Sequence, residues 1–379
     1  MKLYIRKMMS VVMILILLIP GSVSATEITA DINLMINETA ESIKLSYQFK
    51  GYNLLDEKEI FRAADSGSDW IAMTLAFAGI EEDYDEYLKR LEAYVVEKYN
   101  EQGYLENIRA TEYHRIALAM YSLGGNPENI LTGAASINLI YDGVFDFHGG
   151  SPGLQGTNGL IYALMAADAK QYTELENSIN TRQTLINELL LNQGENGAFS
   201  LDPNLGGDYD ITAMALQALA PYKEQPEVNA AIEKALFWME TQLTEDGMLI
   251  SYGSESCESV AQTILALCAL GIDPAEDEKF IRHGKTLLDS LHSFRDEKGM
   301  YLHSYSDEEY SMLSTYQSLL ALEAVEKYRT EGTWIFDFSD YTAPKSTSEK
   351  KGYLIVTAGS FMCVTLGAVI FMKKKKRTM

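Results

Sequence analysis

The sequence predicts an all-α fold: an (α/α)6 toroid with inner and outer helical barrels, joined to a C-terminal transmembrane helix. Three observations lead there. First, Gly207 to Pro221 runs an acidic, aromatic loop into a helix with Ala and Leu on nearly every face, and this arrangement recurs along the chain. A surface helix carries one apolar stripe, whereas one apolar all round is buried on every side. Second, the recurrences come roughly every 45 to 50 residues, within the range of helical-hairpin arrays. Third, the all-apolar helices alternate with two-faced ones. An open solenoid would leave both kinds partly exposed, so complete shielding of one kind calls for a closed ring.

Taken in order, Asp31 to Lys50 has Ile32, Leu34, Met35, Ile43, Leu45 and Tyr47 at helical spacing and reads as an outer helix. Ser68-Asp69-Trp70 opens an inner helix, Ile71 to Gly79, with a charged partner from Asp83 to Tyr99. Thr111-Glu112-Tyr113-His114 opens the second, which breaks at Gly124-Gly125. Gln155-Gly156-Thr157-Asn158-Gly159 leads into the third, Leu160 to Ala167, partnered by Ile179 to Asn192. The fourth starts at Asp210 and is stopped by Pro221; its partner is Val228 to Leu243. The fifth runs from Glu258 to Gly271, with Asp277 to Ser293 outside it, and the sixth from Ser314-Thr315-Tyr316 to Val325. Turns such as Gly197-Ala198-Phe199 and Gly299-Met300-Tyr301 put Gly ahead of an aromatic, which suits a left-handed turn pinned by a buried ring.

The ends carry their own signals. Residues 1–25 read as a secretory signal: Lys2, Arg6 and Lys7, then the apolar Met8 to Pro20, then the small-residue cleavage site Val23-Ser24-Ala25. Residues 26–340 are the expected toroid ectodomain and 341–351 a stalk linker with Pro344. Gly352 to Met372 is an uncharged run of about 20 residues, long enough to span a bilayer. The basic tail 373–379 keeps to the cytoplasmic side, giving a single-pass type I protein of the cell membrane with its ectodomain extracellular.

The chain carries a net charge of −23. Eight of its 31 basic residues lie in the signal and tail, neither of which has an acid, so 23 basic residues face 54 acids in the rest, a net −31. Such a surface repels nucleic acid and suits solubility. Cys363 falls in the expected span. Cys257 and Cys268, on one helix, sit about 16 Å apart in rise, whereas a disulfide needs Cα atoms within about 7 Å. The core alone must hold the domain, and the outside of a Gram-positive cell fits such a chain.

The turn Gln193 to Phe199 resembles the Gln-x-x-x-Gly-x-aromatic motif of the terpenoid cyclase and protein prenyltransferase superfamily, and the resemblance covers about Asp69 to Glu326. Gln155 to Leu164 and Asp210 to Leu219 are most similar to Gram-positive cell-surface proteins with prenyltransferase-like repeats. The pattern Asp-x-x-Ala-x-Ala-x-x-Ala-Leu at Asp210 to Leu219 also resembles the toroid of transcobalamin and intrinsic factor. The resemblance implies an α/α toroid with its site at one mouth of the inner barrel and, through transcobalamin, a bound corrinoid. Squalene-hopene-type cyclases carry Asp-x-Asp-Asp-Thr-Ala, whose middle Asp protonates an alkene. Asp208, Asp210, Thr212 and Ala213 match it and Ile211 replaces the last Asp, so Asp210 and Asp208 are the catalytic candidates. Glu255-Ser256-Cys257 imitates the zinc pattern of the prenyltransferases, but the next repeat has no matching His, and no metal site is expected.

Four inner helices begin with an acid: Asp69, Glu112, Asp210 and Glu258. Capping explains each singly. In a toroid the inner N-termini converge, so together they are expected to ring one mouth, beside Trp70, Tyr113, His114, Tyr162, Tyr209 and Tyr316, with Gln155 and Asn158 on the approach to the third helix. Aromatic faces with carboxylates suit a sugar, a cationic or amide-rich ligand, or a corrinoid better than a hydrocarbon. The first expectation is a non-catalytic module that captures a small molecule, a corrinoid-like or glycan ligand, or a surface protein. The second is an enzyme using the mouth acids, cyclase-like or a glycan hydrolase or lyase, with Asp208 and Glu112 or Glu258 as the acid and base. The third is an inert adhesive barrel, whose mouth loops would plug.

Overall fold

A computed structural model describes residues 25–48, 55, 61–133, 135–202, 206–251 and 253–347. The expected membrane span, basic tail and all but the last residue of the signal lie outside them. Among the described residues no helix is long and apolar enough to cross a membrane.

The helices are α1 (Ala25–Gln48), α2 (Ser66–Phe77), α3 (Tyr84–Gln102), α4 (Thr111–Ser122), α5 (Thr157–Asp168), α6 (Arg182–Leu191), α7 (Tyr209–Leu219), α8 (Pro226–Gln242), α9 (Cys257–Leu270), α10 (Leu287–His292) and α11 (Met312–Glu331). Around the centre α2 packs on α4, α4 on α5, α5 on α7, α7 on α9, α9 on α11, and α11 returns to α2, which closes a ring of six. The outer layer is α3 against α4, α6 against α5, α8 against α7, α10 against α9 and α1 against α11. Burial follows the layers. Twelve of the fourteen residues of α9 are buried, but only Tyr84, Tyr87, Leu91 and Val95 of the nineteen in α3, a single stripe.

The repeat is visible in the backbone of the turns. Gly194 N–H donates to the Ala198 carbonyl at 2.8 Å, Thr244 to Met248 at 2.9 Å and Asp296 to Met300 at 2.7 Å. After the first and third of these turns comes a buried ring, and its N–H finds a Thr of the next inner helix: Phe199 to Thr212 at 2.9 Å and Tyr301 to Thr315 at 3.0 Å. Gly197 sits at φ +94°, and a Cβ there would lie 2.5 Å from the Lys234 carbonyl oxygen, so the close approach of α8 requires glycine. The Gln193 amide donates to the Gly197 and Ala231 carbonyls, at 2.8 Å each, and ties this turn to α8.

The structure departs from the expected all-α pattern in three places. Between α4 and α5 stand an antiparallel hairpin, β1 (Ile130–Thr132) with β2 (Ala135–Ile137), and a π-helical turn at Tyr141–Phe145. A second small hairpin joins β3 (Ile250–Ser251) to β4 (Ser254–Glu255) before α9. The outer helix expected from Asp277 to Ser293 shrinks to α10, because His283 at φ 52° and Gly284 at φ 79° turn the chain back on itself between Arg282 and Lys285. The expected stalk is docked as far as it is described: Tyr341 donates to the Ser122 carbonyl at 3.0 Å, and Ser346 donates to Asp83 at 3.1 Å. Cys257 and Cys268 are both free and buried on α9.

Candidate functional site

The inner helices run in one direction, so their first turns face one another across the lumen. The lumen holds a cavity of about 170 Å³. Trp70 of α2, Tyr162 of α5, Asp210 of α7 and Tyr316 of α11 line it, and Phe336, from the segment after α11, contributes from the far side. Phe336 is held edge-on to Trp70 with ring centroids 6.1 Å apart, and Trp70 lies 6.3 Å from Tyr162. The segment is fixed at the C-terminal ends of the inner helices, where Phe338 N–H donates to the Ala169 carbonyl at 2.8 Å.

Three amides from consecutive inner helices join edge to edge along the wall of this lumen. The Gln217 side chain of α7 donates to Gln262 of α9 at 3.0 Å, and Gln262 donates to Gln317 of α11 at 3.1 Å. Asp210, Met214 and Gln217 stand at i, i+4 and i+7 of α7 and form one wall. A buried amide is costly unless it is bonded, so a Gln inside each of the otherwise largely apolar helices α7 and α9 is the sequence signal for this ladder.

At the rim, Asp210 accepts from the Ser259 hydroxyl at 2.7 Å. Burial pushes its carboxyl up to about 6; Ser259 pulls it down, while the charges of Asp208 and Glu258 add to the rise. Glu258, on the neighbouring helix, accepts from the Ser314 hydroxyl at 2.5 Å and pairs with His303 Nδ1 at 2.7 Å. His303, reached from the loop before α11, is more than half exposed. His303, Ser259 and Ser314 are not among the site residues that the sequence points to.

Of the four acids expected at the mouth, only Asp210 lines the lumen cavity. Asp69 is the fourth residue of α2, not a residue ahead of the expected helix from Ile71, and is fully buried. It accepts from Arg115 Nε at 2.9 Å, Tyr87 at 2.8 Å and Ala64 N–H at 3.1 Å. The other end of Arg115 binds Glu112 at 2.8 Å and the Ala64 carbonyl at 2.7 Å, so both acids fasten the left-handed Ala64 turn at φ 67°. Asp208 caps α7, accepting from Ile211 N–H at 2.9 Å.

Five further candidates do not line the lumen cavity. Tyr113 is core, its hydroxyl accepting from Leu105 N–H at 3.0 Å. His114 is fully buried with Nε2 on the Gly143 carbonyl at 2.8 Å, and burial lowers its pKa to about 4, so it packs as a neutral ring. Gln155 closes over the start of α4, bonding Thr111 through its side-chain oxygen at 3.0 Å and nitrogen at 2.8 Å. Asn158 is half-buried on α5. Tyr209 faces outward from the ring, against Trp238 of α8 at 5.2 Å between centroids.

No family model matches the chain, and no curated protein matches it. Two solved structures of α/α toroid fold are similar. One is ent-copalyl diphosphate synthase from Streptomyces platensis, at 19% identity and a TM-score of 0.45, covering 69% of this chain and 49% of that one. The other is unsaturated glucuronyl hydrolase from Bacillus sp. GL1, at 13% identity and a TM-score of 0.46, covering 73% of this chain and 89% of that one. The present match thus spans about half of the synthase.

Proposed function

We propose that the chain binds a small polar ligand in the lumen of its inner barrel. The observation that carries this reading is the amide ladder Gln217–Gln262–Gln317 facing a cavity walled by aromatic rings, with the Asp210 carboxyl at its rim. Amide edges and a carboxylate pair with hydroxyls and N–H groups, while Trp70, Tyr162 and Tyr316 offer faces to a ring. Volume selects among ligands. About 170 Å³ is close to a cavity that admits benzene, about 150 Å³, and below the roughly 300–1,000 Å³ of drug-sized pockets. One sugar ring or a small amide suits it better than a whole corrinoid or an isoprenoid chain. A glycan would insert one residue, with the remainder leaving past Asp210 and Glu258. The expected signal, span and tail would hold this mouth outside the cell.

Saturation-transfer NMR against neutral, amino and uronic monosaccharides tests the reading. Binding by at least one, weakened at least tenfold by Gln262→Leu, supports it; binding to none, or binding indifferent to Gln262, sinks it.

A second reading rests on the rim. Asp210, with its raised pKa, holds a proton more readily than an ordinary carboxyl, and Glu258 stays paired with His303. Two carboxyls in different environments are the arrangement of acid and base in glycoside cleavage. Turnover of a glycan abolished by Asp210→Asn would convert the binding site into an active site.

A further inference from the structure

We propose that the opposite end of the barrel carries a second site, which takes an alkylammonium group on an apolar stem and pairs it with Glu323. A cavity of about 730 Å³ opens there, between α1, the last turn of α2, the second half of α11 and the segment from Thr333 to Thr342. Glu323, Glu326 and Glu331 of α11 face it together with Asp337 and Asp340, and among the described residues Lys327 is the one ammonium in the lining. The C-terminal ends of α2 and α11 meet at the same place, and helix C-termini favour cations.

An acidic patch alone is a solvated surface. The second observation is Glu323 itself, which is 4% exposed, lines the cavity, and has no hydrogen-bond partner on either carboxylate oxygen among the described residues. Leaving such a group unpaired is expensive, and the sequence places it in the apolar run Leu319-Leu320-Ala321-Leu322-Glu323-Ala324-Val325. Lys327, one turn along, does not neutralise it: its Nζ donates to the Asp337 carbonyl at 2.9 Å and lies 5.9 Å from the Tyr341 ring centre.

The lining decides the kind of cation. Among the described residues no three acids, His or Cys come together as metal ligands. Phe77 and Tyr341, edge to face at 5.7 Å, and Ile335 give an organic body something to lie on, and aromatic faces attract ammonium groups. Burial holds the Glu323 carboxyl well above the ordinary range, with Glu326 adding to the rise. The other titratable groups near it are Lys327, Glu331, Asp337, Asp340 and Tyr341 at the cavity, and Tyr84 of α3 behind it; α1 and α2 present Asn33, Asn37, Phe77 and Ala78 there. Pairing with a cation favours the charged form of Glu323, so binding releases a proton wherever the free carboxyl holds one.

The test is calorimetric titration of the full chain with 1,4-diaminobutane, at matched ionic strength, in two buffers of different ionisation enthalpy. Saturable binding with proton release to the buffer, weakened at least tenfold in Glu323→Gln, is the expected result. Equal affinity in parent and Glu323→Gln would overturn the proposal, as would equal affinity for sodium. Glu323→Gln removes a buried acid without changing shape, and an unchanged helical circular dichroism spectrum shows that the variant is folded. A capped lysine peptide run in parallel separates the two sources of the same chemistry. Tighter binding of the peptide than of the diamine assigns the site to a protein side chain, and the reverse to a free amine.

Discussion

The Ser259 hydroxyl donates to the Asp210 carboxylate at 2.7 Å, bridging two neighbouring inner helices at the open rim of the barrel. The bond fixes Asp210 beside the lumen but does not offset its burial, and the carboxyl rises to about 6. In the unfolded chain an Asp titrates near 3.9. The folded chain therefore holds this proton more tightly, so the contribution of Asp210 is most favourable below about pH 4 and declines as the pH rises to about 6.

Asp210→Asn removes that decline while keeping an acceptor for Ser259. Relative to the parent, the variant is expected to gain stability from about pH 4 to pH 6, reaching about 3 kcal/mol, and to gain little more above that. Urea unfolding of both chains across this range measures it. A difference that does not vary with pH would contradict the raised pKa.

Arg115 holds Asp69 and Glu112 at once, with Asp69 wholly out of water. Arg115→Met leaves that acid without its counter-charge and is expected to cost about 3–5 kcal/mol. Asp69→Asn in the same chain should recover a large part, because the stranded charge is gone. A double-mutant cycle by chemical denaturation gives the answer, and simple additivity of the two losses would refute the coupling.

Gly197 and Gly103 share a left-handed backbone but not their surroundings. A Cβ on Gly103, at φ +83°, meets nothing within 4 Å, so Gly103→Ala pays for backbone strain alone, about 1 kcal/mol. Gly197→Ala adds a collision with the Lys234 backbone and is expected to lose at least twice as much. Thermal unfolding of the two variants compares them, and equal losses would show that the turn does not depend on the closeness of α8.

Gln262 is the middle of the amide ladder, bonded on both sides, whereas Gln217 is an end. Gln262→Leu is expected to destabilise by about 1–3 kcal/mol and Gln217→Leu by less, since the first strands two partners and the second one. The same denaturation curves decide it; the reverse order would mean that the ladder is not a bonded unit.

The ring was legible because helices such as α9 bury almost every side chain, and no single-layer arrangement shields them so fully. The repeating turns were legible too, since Gly197 and Phe199 answer to backbone sterics and burial. The fate of the acids was not. Asp69 and Glu112 look like Asp210 in sequence, but an arginine one turn along α4 claims both, and only the distance between α2 and α4 reveals it. The place of Phe336 in the cavity wall escaped for a similar reason: a short aromatic segment after α11 has no periodicity, and its position depends on where α2 and α5 end. The Gln ladder carried a signal in the apolar helices α7 and α9, though its register needed the ring.

The most direct test uses Trp70 as a reporter. The chain has 3 Trp, and Trp238 and Trp334 lie outside the lumen cavity, so replacing both by Phe leaves a single indole in its wall. Titration with sugars that bind in the NMR screen is expected to change Trp70 emission saturably, with the response lost in Gln262→Leu. Binding of those sugars without any change at Trp70 would place the ligand elsewhere and contradict the lumen as the site.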